Sequence, residues 1–351
     1  MANHLKIPFW FPGQAQLKNK TIRVLAGDVG GTKTNLALFK ATETSVDLIH
    51  EETYPSSKYS TCVEVLQQYL SDHPDSKPDR LCMGVAGPVF QGKVDLTNLS
   101  WHLDSEEISR VLKIKSVFLI NDLEATSYGL AGLGPDDFIN VHEGVSEQAG
   151  NIAILAPGTG LGEAGLYWDG SYYHPFPTEG GHTDFAPRTE LDIELYQYLQ
   201  KRYEIVSYER VIAGPGIYDI YQFLCDVKKR KTADWLEELF TKNDPSAVIS
   251  ESAIDEKDPT CIETMQLFVR YLARECSNLV LKLKATGGLF LGGGIPPKIT
   301  SILQQNVFYD NFLDCDRMQT LMKKVPVNII LNSQAALFGA AYYGAYGLSV
   351  S

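Results

Sequence analysis

The stretch AGDVGGTKTNLALF (Ala26–Phe39) sets a carboxylate and two adjacent glycines between two apolar runs. Its flanks are rich in β-branched and aliphatic residues, so it reads as strand, glycine turn, strand. The turn itself has two readings. Gly30 and Gly31 either supply φ > 0 to a tight hairpin, or they let backbone amides face an anion. Asp28, just before the turn, is placed to hold a Mg2+ ion that bridges phosphate oxygens, directly or through water. Thr32 and Lys33, just after it, can donate to phosphate. This is not a Walker A loop, because G-x-x-x-x-G-K-[ST] is absent and a strand rather than a helix follows.

Moving outward, VDLIHEETYP reads as a third strand and STCVEVLQQYLSDHP as a helix that stops at Pro74. RLCMGVAGPV is a buried strand. DSEEISRVLKI is a short helix with Asp104 or Ser105 as N-cap, and SVFLINDLEATSYGLAGL is a strand running into a helix. NIAILAPGTGLGEAGLYWDG then repeats the strand, glycine turn, strand pattern, which suggests two related α/β units. A largely helical region spans about 189–284, with Gly287 placed as a helix C-cap. GLFLGGGIPPKI supplies a buried strand, a third glycine turn and a helix start. VPVNIILN is one more strand, and SQAALFGAAYYGAYGL a final helix of small residues. Strands alternating with helices predict a mostly parallel sheet in each unit, with ligands at the carboxyl ends of the strands.

The 351 residues favour two domains. A net charge of −12 speaks against nucleic-acid binding. It also obliges any phosphate site to rely on helix ends, backbone amides or a cation. The six cysteines (62, 82, 225, 261, 276 and 315) form no C-x-C or C-x-x-C pair. Zinc ligation and a redox dithiol therefore lack their usual spacing, and the thiols read as buried side chains in a reducing cytosol. Neither a signal peptide nor an apolar run of about 18 residues is present, so a cytoplasmic protein without a membrane partner is expected. Phe9, Trp10 and Phe11 mark the first twenty residues as an extension that packs somewhere on the fold.

In the second turn, Gly160, Gly162 and Gly165 satisfy G-x-G-x-x-G, but a strand rather than a helix follows, so a dinucleotide fingerprint is rejected. A glycine- and threonine-rich hairpin open to phosphate suits the context better. Three glycine turns that each end a strand point to one shared anionic or nucleotide ligand. Phosphoryl transfer to an alcohol also needs a base and groups that orient the acceptor. Asn121 and Asp122 stand at the tip of a buried strand, where Asp122 is either a helix N-cap or a site residue. Glu179 and His182 flank two glycines. Glu209 near a helix start, with Ser207 as a candidate N-cap, is either a capping acid or a ligand group. Asn98, beside Trp101, suits a sugar hydroxyl or a turn.

Together GDVGGTKTNLALF, LINDLEATSYGL, GTGLGEAGL, EGGHTDFAP, SYERVIAGPGIYDIY and GGLFLGGGIPPK resemble, in order, the bacterial-type glucokinases of the hexokinase, actin-like ATPase superfamily. The resemblance runs from about residue 22 to the C-terminus. It implies an α/β, two-domain actin-like ATPase (ribonuclease H-like) fold with a cleft between the domains. The small domain would be 21–132 plus 333–351, the large one 133–332, and 1–20 an extension. It implies ATP-dependent phosphorylation of glucose at the 6-hydroxyl, with Asp122 as general base. Asn98, Asn121, Asp122, Glu179, His182 and Glu209 would bind the sugar. Asp28, Gly30, Gly31, Thr32 and Lys33 would form one phosphate loop and Gly158, Thr159 and Gly160 the other, with Gly292 and Gly293 on the adenosine side. Mg2+ and a homodimer are implied as well.

Zinc is not expected, since the cysteine-rich motif that related repressor–kinase–ORF-type kinases carry after E-x-G-H is missing. Lys33 is more typical of that zinc-bearing group, which leaves mannose, fructose or an N-acetylhexosamine as alternative acceptors. A sugar-responsive regulator would need an added DNA-binding domain, for which the extension is too short.

Overall fold

The computed structural model of the chain describes residues 7–96, 99–145 and 149–347. In chain order the first elements are β1 (Ile22–Val29), β2 (Lys33–Ala41), β3 (Val46–Pro55), α1 (Cys62–Asp72), β4 (Arg80–Val85), β5 (Lys93–Leu96), β6 (Trp101–Asp104), α2 (Ser105–Leu112), β7 (Ser116–Asn121) and α3 (Asp122–Gly129). There follow β8 (Phe138–His142), β9 (Ile152–Pro157), β10 (Leu161–Trp168), β11 (Tyr173–Thr178), α4 (Glu190–Leu199), α5 (Glu209–Ile212), α6 (Gly214–Asp226), α7 (Asp234–Phe240), α8 (Pro245–Ile254) and α9 (Pro259–Leu283). The last are β12 (Gly288–Leu291), α10 (Thr300–Leu303), α11 (Asn306–Phe312), α12 (Gln319–Met322), β13 (Val327–Ile330) and α13 (Ala335–Tyr346). The chain divides into two compact units. One takes the residues up to Asp137, Leu166–Pro177 and those from Asn332 onward; the other takes Phe138–Gly165 and Thr178–Leu331.

The first unit is built on a sheet of order β3-β2-β1-β4-β7. Its apolar runs look continuous because both faces are covered, each by alternate residues. Leu25, Leu36, Leu38, Leu81 and Met83 pack with Val65, Leu66 and Tyr69 of α1. Their neighbours Ala26, Ala37, Phe39 and Cys82 pack with Ala125 of α3 and with Leu337, Ala340 and Ala341 of α13. Small residues on the second face let α13 approach closely. A Cβ at Gly344 would stand 2.7 Å from Val24 Cγ1, and one at Gly339 only 1.6 Å from the carbonyl oxygen of Ala125.

The extension belongs to this unit. Phe9 is buried, and Phe11 packs its ring 5.6 Å from Tyr128 and 5.3 Å from Tyr346, centroid to centroid. Trp10 N donates to Tyr173 O, and Tyr173 N to Pro8 O. This pairing draws the tip of the β10–β11 hairpin, assigned to the larger domain by the sequence, into the first unit.

The second sheet has the order β11-β10-β9-β12-β13-β8, of which the start of β10 and β9, β12, β13 and β8 belong to the second unit. Its core gathers Phe268, Tyr271, Leu272 and Cys276 of α9 with Leu155, Leu289, Leu291 and Ile329 of the sheet. The two sheets share one plan: a glycine-turn hairpin with a third strand outside it, then two parallel strands on the other side. The expected mostly parallel sheets are therefore mixed. β1 pairs antiparallel with β2, and β2 with β3, because a short glycine turn reverses the chain. β1–β4, β4–β7, β9–β12 and β12–β13 run parallel.

Several local expectations hold and others shift. Asp104 is the N-cap of α2, its carboxylate accepting from Glu106 N. The residue expected to cap α9, Gly287, does not. The helix stops at Leu283, Lys284 takes the left-handed conformation at φ 49°, and Gly287 N instead donates to Asn151 O to enter β12. The short strands β5, β6, β8 and β11 carry too few residues for a period-2 signal. No helix among the described residues is long and apolar enough to cross a membrane.

The contact of α13 with α3 has a direct test. In Gly339→Ala the new methyl must push α13 away from the Ala125 carbonyl. Chemical denaturation should show an unfolding free energy lower by about 1–3 kcal/mol with an unchanged m-value.

Candidate active site

In the first unit the candidate side chains Asp28, Asn121 and Asp122 lie at the carboxyl ends of β1 and β7, on either side of β4. Register places Asp28 opposite Gly84, and Val85 opposite Asn121. Asp28 and Asn121 thus lie two strands apart on one edge, roughly 10 Å at ordinary strand spacing. The strand between them offers glycine at 84, where a Cβ would come within 3.0 Å of Ala125 Cβ, so α3 can start close to the sheet.

Asp28 is part of a polar row set by register. It faces Asn35 on β2, and Asn35 faces Thr53 on β3. Thr53 Oγ1 donates to Asn35 Oδ1 at 2.9 Å, and Asn35 Nδ2 reaches Asp28 Oδ2 at 3.5 Å. Burial pushes the Asp28 carboxyl above its ordinary value, and the Asn35 contact only partly offsets this. The turn beyond it is pinned from β3's end. Ser56 Oγ donates to Gly30 O at 2.9 Å and lies 3.0 Å from Thr34 Oγ1, while Ser56 N donates to Thr32 O. Neither Gly30 nor Gly31 is at positive φ, so the hairpin reading by left-handed conformation fails. Thr32 and Lys33 are exposed.

At the β7–α3 junction the cap is Asn121, not Asp122. Asn121 Oδ1 accepts from Leu123 N at 2.9 Å and Glu124 N at 3.3 Å, and its Nδ2 donates to Gly87 O at 3.3 Å. One amide N–H of Asn121 is left over from this set. Asp122 is the first residue of α3, half-buried, with Oδ1 accepting from Leu123 N. One turn in, burial pushes Glu124 up to about 7. Asn98 lies outside the described residues.

In the second unit the turns after β9 and β12, which are parallel neighbours, meet at one end of the sheet. Gly158 N donates to Gly160 O, and Gly158 O accepts from Gly214 N at the start of α6. Thr159 is the residue between those glycines. Gly293 takes φ 77°, and a Cβ there would fall 2.5 Å from Pro157 O. Gly292 N donates to Leu155 O as the ladder ends. Gly158 and Gly294 differ from these: the nearest atom to a Cβ at 158 is Gly294 N at 4.0 Å, and a Cβ at 294 meets nothing. Packing does not ask for glycine at either position.

Glu209 is neither a cap nor a surface acid. Ser207 makes no capping bond, and Tyr208 precedes the four-residue α5. Glu209 Oε2 instead accepts from Leu161 N at 2.9 Å, and a Cβ at Gly160 would come within 2.6 Å of that oxygen. The Glu179–His182 loop packs on the same hairpin, since a Cβ at Gly181 would stand 2.1 Å from Leu161 O. Glu179 and His182 are exposed, with His182 Nε2 4.0 Å from Glu179 Oε2, a pair that adds little stability. Tyr208 N donates to Thr183 O, which ties this loop to the segment bearing Glu209.

The second unit therefore brings together Gly158, Thr159, Gly160, Glu179, His182, Glu209, Gly292 and Gly293. The first brings Asp28 and the Gly30–Lys33 turn onto the same strand ends as Asn121 and Asp122. Sequence reading missed Asn35, Ser56 and Gly214. Asn35 has a signal, since it and Asp28 are equidistant from the turn centre. Ser56 has none, because its role depends on β3 folding back.

Comparison with known proteins follows the same residues. A family model described as Glucokinase matches residues 25–346. The glucokinase of Nostoc punctiforme is 39% identical over 332 residues, covering 91% of this chain and 97% of that protein. The crystal structure of a glucokinase from an Antarctic psychrotroph is 32% identical with a TM-score of 0.78, over 92% of this chain and 98% of its own. A ROK family glucokinase from Streptomyces griseus, in complex with glucose and AMPPNP, has a TM-score of 0.64 over 93% of this chain and 100% of its own. At 17% identity that last likeness shows the fold alone.

Two glycines of one turn should respond differently to alanine. Gly160→Ala forces Glu209 away from Leu161 N and should cost about 1–3 kcal/mol in denaturant unfolding. Gly158→Ala, which enters open space, should stay within about 0.5 kcal/mol of the parent.

Proposed function

The chain belongs to the glucokinase family, of the actin-like ATPase fold, and on that footing we propose that it transfers the terminal phosphoryl group of ATP to the 6-hydroxyl of glucose, with Asp122 as general base. The observation that carries the assignment is the division of labour at the β7–α3 junction. Asn121 is the N-cap, and Asp122, the first helical residue, stands half-buried at the carboxyl end of β7 beside the strand end that carries Asp28.

The chemistry follows from the named groups. The 6-hydroxyl oxygen bonds to the terminal phosphorus, the bond from that phosphorus to the bridging oxygen of ADP breaks, and the hydroxyl proton passes to Asp122. Glu179, His182 and Glu209, with Asn98 and Asn121, hydrogen bond the remaining sugar hydroxyls. Glu209 is already oriented by Leu161 N. The turn at Gly30–Lys33 and that at Gly158–Gly160 take the phosphates, Lys33 adding a positive charge. Gly292 and Gly293 border the nucleoside. Glycine at 158 and 294, where packing requires none, supports a ligand passing close to the backbone there. Nucleotide use is supported by AMPPNP in the Streptomyces griseus enzyme.

Asp28 fits an anchor for Mg2+. Burial makes its charge costly, a cost that a cation offsets, and Asn35 holds one of its oxygens. Among the described residues no three or more His, Cys, Asp or Glu side chains are placed together so as to hold a metal ion. A single carboxylate suits Mg2+, which takes its other ligands from phosphates and water. The ion would neutralise charge on the phosphates.

Asp122→Asn should fold like the parent and keep the glucose KM within a few-fold while kcat falls roughly 10²–10⁴-fold. Near-parental turnover would remove the base assignment. A donor-by-acceptor matrix on the parent protein should rank ATP first among donors, and glucose above mannose, fructose and N-acetylhexosamine. Gly158→Ala should raise the KM for ATP about tenfold while sparing that for glucose.

A further inference from the structure

Beneath the Glu179–His182 loop lies a buried acid that no step above uses. Glu163, on β10, is 1% exposed, in the middle of a run whose neighbours Leu161, Ala164 and Leu166 are all core. Its Oε1 is buried without a hydrogen-bond partner. Its Oε2 occupies the space above which Gly180 sits, since a Cβ at 180 would fall 2.0 Å from that oxygen. The backbone is stitched to the same residue. Thr178 Oγ1 donates to Glu163 O at 2.9 Å and accepts from Gly180 N at 3.2 Å. Glu163 thus meets the loop twice, once through its carbonyl and once through its carboxyl.

We propose that Glu163 is a positioning residue for the sugar: its carboxyl, packed under Gly180, sets the height and tilt of the loop that presents Glu179 and His182. This deepens the reading of Glu179 and His182 as sugar ligands and rests on it.

The surroundings explain why the carboxyl stays neutral. Glu275 on α9 is fully buried and faces it. Asn278 Nδ2 donates to Glu275 Oε2 at 2.8 Å, Tyr208 also bonds this carboxylate, and Lys282 Nζ lies 3.3 Å from its Oε1. Cys276, the other titratable neighbour on α9, is held as a neutral thiol by burial. Glu179 and His182 stand on the loop above. The positive charge and the donors are thus committed to Glu275, and a charged Glu163 would be a second buried anion with an unpaired oxygen. Burial first, then Glu275, pushes Glu163 up to about 8. A folded-state value above the usual 4.5 means that this group's stabilising contribution is complete below 4.5. That contribution is lost as pH rises towards 8. Ionisation in the folded protein then drives the carboxylate towards solvent, against Gly180.

The test uses two variants and two readouts. Glu163→Gln keeps shape and neutrality; Glu163→Val fills less of the space below Gly180 and offers no polar edge. Peptide-resolved hydrogen–deuterium exchange on the sugar-free protein at pH 7 should be parental in Glu163→Gln and faster across 178–183 in Glu163→Val. In steady-state assays Glu163→Val should raise the glucose KM about tenfold with kcat within about threefold, the mark of lost uniform binding. The parent's glucose KM should climb above pH 8 while that of Glu163→Gln stays flat. Unchanged loop exchange in Glu163→Val overturns the proposal, as does an unchanged glucose KM in Glu163→Val or a Gln variant that behaves like Val. Failure of the kinase reading is separable, because it shows in the parent as no glucose phosphorylation, whereas the exchange readout needs no sugar.

Discussion

The structure depends on places where backbone or a polar group occupies the volume of a missing Cβ. Gly339 brings α13 against the Ala125 carbonyl, and Gly129 brings α3 equally close to Ala335 O, so two helices share one face of the first sheet at backbone distance. α3 begins with Asp122, and its placement over β4 depends in turn on Gly84. In the second unit the same device acts on side chains: Gly160 leaves room for Glu209, and Gly180 for Glu163. Of the turn glycines, Gly160 and Gly293 answer to proximity, whereas Gly158 and Gly294 meet no close neighbour. Gly293 also takes a positive φ, 77°.

Electrostatics set the second constraint. A chain of net charge −12 that handles a phosphate-rich ligand must supply its attraction locally. On the proposed reading few cations do so: Lys33 closes the first glycine turn and Lys298 follows the third, and the remainder would fall to backbone amides and helix ends. The buried acids run the other way. Asp28, Glu124, Glu163 and Glu275 are all pushed up by burial. Asp28 and Glu124 sit beside strand ends, and Glu163 beside a loop, that the proposed function gives to ligand binding. The unit interiors thus store charge cost near the working loops, where a ligand, a cation or a proton can offset it.

The common plan of the two sheets connects these points. A hairpin with a third strand outside, followed by two parallel strands, puts a glycine turn and a second loop at the same edge in each unit. The turn at Gly30–Lys33 and the turn at Gly158–Gly160 are equivalents in that plan. Their supports differ, since Ser56 from β3 holds the first and Gly214 from α6 the second.

Much of this was legible in the linear chain. Strand and helix identities followed from period and from glycine and proline punctuation, which are local properties; the hairpin after β9 was separable from a dinucleotide fingerprint by the strand that follows it. Asp104 as a cap and the doubled hairpin were readable for the same reason. Other features depended on neighbours distant in sequence. Whether Asn121 or Asp122 caps α3 turns on side-chain rotamers at one junction, and Glu209 gains its role only where Leu161 N meets it, 48 residues away. Glu163 read as one more residue of a strand until its burial and Gly180 above it were known. Propensity and patterning act over a few residues and are written along the chain. Desolvation, register between strands and the space left by an absent Cβ arise only when segments far apart are packed together, and those are what turned a set of motifs into oriented groups.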